Sequence, residues 1–351
     1  MVGQQETTEE IRQMQFREYR SCRLCPRACG ADRYRHAGYC GCAAEVKAAR
    51  AGLHYYEEPF LSGTRGSGTV FFTGCSLGCV YCQNGQISRE LYGYTISEER
   101  LTEIFLEQQD RQAHNINLVT GTQYIPSIAA ALREAKQQGL SIPVIWNSSG
   151  YERPDSLRQL EGLVDIFLPD FKTLDPVLGK RYMNAPDYPE WAKASLACMY
   201  EMAGTVSFAE FHGDGAASDP ASKASEPVYE GENVLMKQGL VVRHLVIPGQ
   251  TEDSRKVLRY LFETYGDHIW ISLMSQYTPT GRFAGAGSSG DLTEQAEAVF
   301  PELYRKVSSG EYEEVVDYAI ELGIENCMIQ EGDAAEESFI PAFDGTGINR
   351  S

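Results

Sequence analysis

No stretch of the chain approaches the roughly 20 consecutive apolar residues that a membrane-spanning helix requires, and positive charge is in short supply. With 31 Lys and Arg against 49 Asp and Glu, the net charge is −18. The average surface therefore repels phosphate, and nothing forms the basic stripe of a nucleic-acid-binding protein. Neither a membrane nor a nucleic acid is expected as a partner. The opening MVGQQETTEEIRQMQ lacks the charged-then-apolar order of a secretion signal. A cytoplasmic location is the expectation.

Isolated cysteines are scarce as well. Of the ten, five fall between Cys22 and Cys42 and three between Cys75 and Cys82, which leaves only Cys198 and Cys327 alone. Those two read as buried structural thiols. In a chain expected to stay in a reducing compartment, clustered cysteines point to metal binding or catalysis rather than to disulfides. At 351 residues and 42% hydrophobic, the chain can build one large domain or two ordinary ones.

From Gly68 onward, short apolar runs alternate with helical patterns. Thr69 to Phe72, Ile116 to Thr120, Ile142 to Trp146, Val164 to Leu168, Leu240 to Ile247 and Ile269 to Met274 read as strands. Between them, Ser97 suits a helix N-cap followed by Glu98 and Glu99, and Leu101, Ile104 and Phe105 form an apolar stripe at helical spacing. A last helix carries Tyr312, Val315, Val316, Ala319 and Ile320 on one face, before a short strand at Cys327 to Ile329. Repeated strand–helix units imply a parallel sheet with right-handed crossovers. The fold class expected is α/β, a partial (β/α)6 barrel of parallel strands with a small cysteine-rich amino-terminal metal-binding module. A doubly wound open sheet is the competing topology. The division expected is 1–67 for the amino-terminal arm and cysteine-rich segment and 68–351 for the barrel. Within the barrel, the turn-rich stretch 212–227 reads as a flexible surface insertion, with an active-site lid as the alternative.

The segment T-G-C-S-L-G-C-V-Y-C-Q-N spaces Cys75, Cys79 and Cys82 as C-x3-C-x2-C directly after the first strand. A cubane iron–sulfur cluster takes one thiolate per iron, so three ligands leave one iron open for something else. Gly74 and Gly78 let the backbone wrap a bulky cluster. A closed zinc site would need a fourth ligand. This loop, with an aromatic before its last cysteine, resembles the radical S-adenosylmethionine superfamily. Further stretches, among them LHYYEEP at 53–59, SGTRGSG at 62–68, VDIFLPDFK at 164–172, VRHLVIPG at 242–249, MSQYTP at 274–279 and FIPAFD at 339–344, resemble a subgroup related to the pyruvate formate-lyase activating enzymes.

That resemblance implies a 4Fe–4S cluster whose open iron chelates the amino and carboxylate groups of S-adenosylmethionine. One electron from the reduced cluster then yields a 5′-deoxyadenosyl radical that abstracts a substrate hydrogen. It implies Cys75, Cys79 and Cys82 as catalytic cluster ligands, Tyr81 near the adenine, and Asn84 among the cofactor-binding residues. Superfamily members often carry Gly-Gly-Glu after the second strand. Here the run is Thr120-Gly121-Thr122-Gln123, so these four are candidates for holding the methionine amino group. Asn147 and Ser148 follow the third strand, where ribose-binding residues are expected. Asp170 and Lys172 end the fourth, where strand termini face the ligand, with a surface ion pair as the alternative. Arg243 and His244 are neighbours on the fifth strand, so at most one faces the cavity; His244 is the cofactor-binding candidate. Gln276 and Tyr277 are candidates for the substrate side.

Cys22, Cys25, Cys29 and Cys40 follow C-x2-C-P-x2-C…G-x-C, with Cys42 as an extra thiol. Zinc or an auxiliary iron–sulfur cluster satisfies this set equally, and proximity to the catalytic loop would favour electron relay. Three functions follow as expectations: activation of a glycyl radical enzyme, a radical reaction on a small molecule or other peptide site, and non-enzymatic electron transfer or sensing. The first two imply an electron donor such as flavodoxin or ferredoxin.

Overall fold

The computed structural model describes residues 16–210, 234–279, 299–330 and 341–349. Its strands are β1 Val46–His54, β2 Ser67–Phe72, β3 Tyr94–Ile96, β4 Ile116–Val119, β5 Val144–Ser148, β6 Ile166–Pro169, β7 Ser207–Glu210, β8 Val234–Leu245, β9 Trp270–Met274 and β10 Cys327–Ile329. They form one sheet in the order β10-β9-β8-β6-β5-β4-β2-β1-β3, with β7 paired to β8 outside that path.

From β2 to β10 every neighbouring pair on the main path is parallel, and spatial order follows chain order. A doubly wound sheet would reverse its order midway. This one does not, so the partial-barrel reading holds. The short strand expected at Cys327–Ile329 pairs in parallel with Ile271–Leu273 and extends the sheet past the six main strands. The strands not anticipated are the antiparallel ones. β1 is rich in alanine and broken by Lys47 and Arg50, so it lacks a clear period of two, yet Ala48, Ala49 and Ala51 are fully buried. It pairs with β2 across the expected boundary at 67.

The principal helices are α1 Glu98–Asp110, α2 Ile125–Gln137, α3 Pro176–Met183, α4 Tyr188–Ala203, α5 Thr251–Tyr265 and α6 Ser309–Leu322. Ser97 caps α1 by accepting from the Arg100 amide at 3.2 Å, and Ser308 with Glu311 forms a capping box on α6. On α6 the buried stripe is Val315, Tyr318 and Ala319, while Ile320 is 65% exposed, so the face expected from the sequence is rotated. None of the helices among the described residues is long and apolar enough to cross a membrane.

Side chains alternate between the two faces of the sheet. Val70, Phe72, Ile116, Leu118, Val144, Trp146, Phe167, Val242 and Leu273 point outward and pack with Leu101, Ile104, Ile128, Leu132, Leu196, Leu258 and Leu261 in one core. Ile145, Ile166, Leu168 and Val241 point inward and enclose Leu61, with Phe60 packed alongside. The turn Pro59–Ser62 thus plugs the barrel near the strand starts, leaving the carboxyl ends of the strands for function. The stretch 212–227 lies outside the described residues.

Candidate active site

β2 delivers its chain to the cysteine loop at the carboxyl edge of the sheet. Gly74 and Gly78 adopt left-handed φ of +88° and +63°, which a side chain would resist. Cys79 is buried and Cys75 and Cys82 are partly buried. As a free thiol, Cys79 is pushed up to about 12 by burial, against the opposing charge of Lys172; Cys75 is raised by burial too. Such thiols ionise when iron takes the place of the proton. The Leu77 amide and the Ser88 hydroxyl each donate to a sulfur at 3.4 Å, on Cys75 and Cys82 respectively. Three enclosed sulfurs on one glycine-bent loop fit a 4Fe–4S cluster.

The loop is clamped from several sides. The Gln123 amide nitrogen reaches the carbonyls of Thr73, Gly74 and Thr120 at 3.0, 3.2 and 2.8 Å. Gln83 donates to the Gln276 carbonyl at 2.8 Å, tying the loop to the end of β9. Arg89 donates to the Cys79 carbonyl at 2.6 Å, and Arg27 to the Ser76 carbonyl at 2.9 Å.

Next to the loop, the ends of β4, β5 and β6 are joined through the backbone: the Thr120 amide donates to Asn147 and the Asp170 amide to Ser148, both at 2.9 Å. Thr120 sits at φ +58°, an uncommon conformation for a residue with a side chain. Asp170 and Lys172 form an ion pair at 2.6 Å, with side chains 28% and 16% exposed, so it is not a free surface pair. Burial works against the Lys172 charge, but Asp170 and Cys79 outweigh it and hold the ammonium well above its ordinary value.

The sequence reading missed Glu152. Its carboxyl is fully buried, accepts from Thr122 Oγ1 at 2.7 Å, and has a second oxygen with no hydrogen-bond partner among the described residues. Burial pushes this carboxyl up to about 7, against hydrogen bonds from Thr122 and Ser148 and the charge of Lys172; Asp170 adds repulsion. The available signal was an acid just beyond the turn Ser148-Ser149-Gly150 that ends a parallel strand. Thr122 and Ser148 are thus linked to each other through Glu152.

The other candidates divide. Asn147 is half-buried on the inward face, and Asn84 is half-buried where its carbonyl starts the turn after the loop. Gly121 has a steric reason: a Cβ there would meet Ile128 at 2.7 Å and the Trp146 ring at 3.0 Å. Tyr81 is buried edge-on against Tyr182 and Tyr277, with centroids 5.7 and 6.3 Å away. His244, the cofactor-binding candidate, has both ring nitrogens engaged within the protein. Nδ1 engages the Phe171 carbonyl at 2.7 Å and Nε2 the Ser254 hydroxyl at 2.9 Å, which ties β6 to α5. Alternation places His244 with Val242 toward the helices. The small crevice it shares with Tyr81, Lys172 and Tyr182 encloses only about 10 Å³, room for about one water.

Arg243 is the neighbour that faces inward. It donates to both Glu58 oxygens at 2.8 and 2.6 Å and to Glu57, whose carboxylate also accepts from Asn117 at 2.7 Å. Burial opposes the Glu58 charge, but Arg243 prevails and lowers that carboxyl below its ordinary value. One guanidinium thus faces two carboxylates in this cluster. Burial lowers the His54 imidazole beside them.

The amino-terminal cysteines fold into a knuckle. The Cys22 amide donates to Ala31 at 3.0 Å and its carbonyl accepts from Gly30 at 2.9 Å, while Ala28 turns back onto the Cys25 carbonyl at 3.0 Å. The sulfurs of Cys29 and Cys40 both flank Gly38. Burial pushes Cys25 up to about 12, with added repulsion from Cys40, Cys22 and Cys29. Cys42 stays beside Cys40, and its sulfur also donates to the Thr73 carbonyl at 3.2 Å and packs on Gly74. All ten cysteines are free thiols. Among the described residues, no three Cys, His, Asp or Glu side chains converge on a single metal ion.

A parallel partial barrel with a three-thiolate loop at the carboxyl end of its first parallel strand defines a class of iron–sulfur protein. Residues 69–208 match the family model of the radical SAM superfamily, which supports a radical SAM protein. The chain is also similar to the Uncharacterized protein MJ0674 of Methanocaldococcus jannaschii, with 23% identity over 86% of this chain and 75% of that one. Among solved structures it is similar to Streptococcus suis SuiB bound to S-adenosylmethionine, at 12% identity and a TM-score of 0.38, covering 65% of this chain and 45% of SuiB. It is likewise similar to the FeFe-hydrogenase maturase HydG of Carboxydothermus hydrogenoformans, at 12% identity and a TM-score of 0.36, covering 72% of this chain and 55% of HydG. The chain thus spans about half the length of those two structures.

Proposed function

We propose that this radical SAM enzyme generates a 5′-deoxyadenosyl radical at Cys75, Cys79 and Cys82 and uses it to take a hydrogen atom from a glycine of a partner protein. One observation carries the site: these thiols stand on a clamped loop beside the joined ends of β4, β5 and β6, next to the Asp170–Lys172 pair. When bound, the cluster supplies a single electron and an open iron position. The chain's own residues position the reactants. Gln123, Gln83 and Arg89 fix the loop, Thr122, Ser148 and Glu152 form a buried polar corner, and the Lys172 ammonium offsets negative charge beside Cys79. Asn147 and Asp170 are the candidates for ribose contacts.

The likeness to pyruvate formate-lyase activating enzymes in the stretches quoted above supports the partner-glycine reading. A second reading, hydrogen abstraction from a small molecule or another peptide site, is favoured by the charged interior of Glu57, Glu58 and Arg243, which suits a polar substrate more than a backbone glycine. Both readings take one electron at a time from a flavodoxin or ferredoxin, and ten free thiols suit the reducing cytoplasm. The amino-terminal thiols hold zinc or a second iron–sulfur cluster.

The test is anaerobic reconstitution with iron and sulfide, followed by reduction with S-adenosylmethionine present. Release of methionine and 5′-deoxyadenosine is expected, and alanine at any one of the three cysteines should abolish it. Release that survives the triple substitution would sink the assignment. No release from the reconstituted wild type would leave electron transfer or sensing instead. A glycyl radical signal on a co-incubated partner supports the first reading, and hydrogen transfer into a small molecule supports the second.

A further inference from the structure

The amino-terminal knuckle is bonded to the catalytic loop itself. The Cys42 sulfur lies on Thr73 and Gly74, and Arg27 reaches the Ser76 carbonyl at 2.9 Å, so the knuckle holds both neighbours of Cys75. Buried Arg33 adds a contact to the carbonyl of Gln123, whose amide clamps Thr73 and Gly74. A module that served only to stabilise itself would not need to be built onto these atoms.

Its donors are sulfur alone. Four thiols, Cys22, Cys25, Cys29 and Cys40, match the four irons of a cubane, one to each.

The charge of the module differs from that of the chain. Between Arg17 and Arg35 there are six arginines against only Glu18 and Asp32, in a protein whose net charge is −18. Arg17, Arg23 and Arg35 are exposed, and so is Cys29. A basic face at an exposed ligand is where an acidic carrier would dock, drawn by complementary charge.

We propose that Cys22, Cys25, Cys29 and Cys40 hold a second 4Fe–4S cluster, through which an acidic one-electron carrier of the ferredoxin or flavodoxin class reduces the catalytic cluster. This rests on the radical SAM reading for its destination but not for its metal. One electron leaves the carrier, reduces the amino-terminal cluster and passes to the catalytic one; no proton or leaving group moves.

The experiment uses the full chain with Cys75, Cys79 and Cys82 all replaced by alanine, purified and reconstituted anaerobically with iron, sulfide and zinc present together. About four irons per chain and a reduced-cluster resonance are expected, against about eight irons in the wild type. Zinc, or no metal, in the triple variant overturns the proposal even if the wild type cleaves S-adenosylmethionine. Iron there supports it even if the wild type cleaves nothing, which keeps the two readings apart. Should the triple variant not fold, the reciprocal variant with alanine at Cys22, Cys25, Cys29 and Cys40 should hold half the wild-type iron, and full wild-type iron overturns the proposal. For the docking face, R17E with R23E should slow reduction by an acidic ferredoxin about tenfold at low salt. An unchanged rate overturns that part.

Discussion

Glu152→Gln should flatten the pH dependence of stability. An ordinary glutamate ionises near 4.5, whereas burial holds Glu152 near 7. Below about 4.5 the group is protonated both folded and unfolded, and its contribution is fully present. As pH rises toward 7 the unfolded chain releases this proton while the fold retains it, so the contribution drains away and is gone above the folded value. At about 1.4 kcal/mol per pH unit the gap corresponds to about 3 kcal/mol. Glutamine keeps an acceptor for the Thr122 hydroxyl but never ionises. Denaturant midpoints for wild type and variant, taken from pH 4.5 to 8, should therefore diverge steadily, with the variant gaining up to about 3 kcal/mol relative to wild type at the alkaline end. Parallel profiles would refute the claim that this carboxyl carries the raised value.

Arg243→Met should destabilise by about 3–5 kcal/mol, because Glu57 and Glu58 are left buried without their cation; an unchanged denaturation midpoint contradicts this. His244→Phe removes both ring hydrogen bonds and should cost about 2–4 kcal/mol in the same assay. Weaker S-adenosylmethionine binding at unaltered stability would instead restore its cofactor role. Gly121→Ala forces a methyl against Ile128 and the Trp146 ring and should cost about 1–3 kcal/mol, to be read by thermal unfolding; a neutral result would mean that α2 gives way.

The cysteine loop was legible because its information is local: three thiols, two left-handed glycines and the preceding strand all lie within residues 69–82. The parallel strands were legible for the same reason, since apolar runs of four to eight residues between helical patterns need no distant partner to be recognised. β1 was not, because its alanines and basic residues acquire a strand's identity only by pairing with β2. Helices α3 and α4 lie in a stretch the sequence reading left unassigned.

Where each candidate side chain sits was decided by contacts across the chain. His244 and Arg243 are adjacent in sequence, but only the barrel decides that one meets Ser254 and the other meets Glu57 and Glu58. Gln123 has no local mark of a clamp until Thr73 and Gly74 come within its reach. The amino acid order alone determined the three-cysteine loop and the repeating strand–helix scheme, because spacing and periodicity are written along the chain. The tertiary structure alone decided that the amino-terminal knuckle meets that loop through Cys42 and Arg27, and that Glu152 is sealed beside Thr122. Burial and charge pairing depend on residues tens of positions apart, and only folding brings them together.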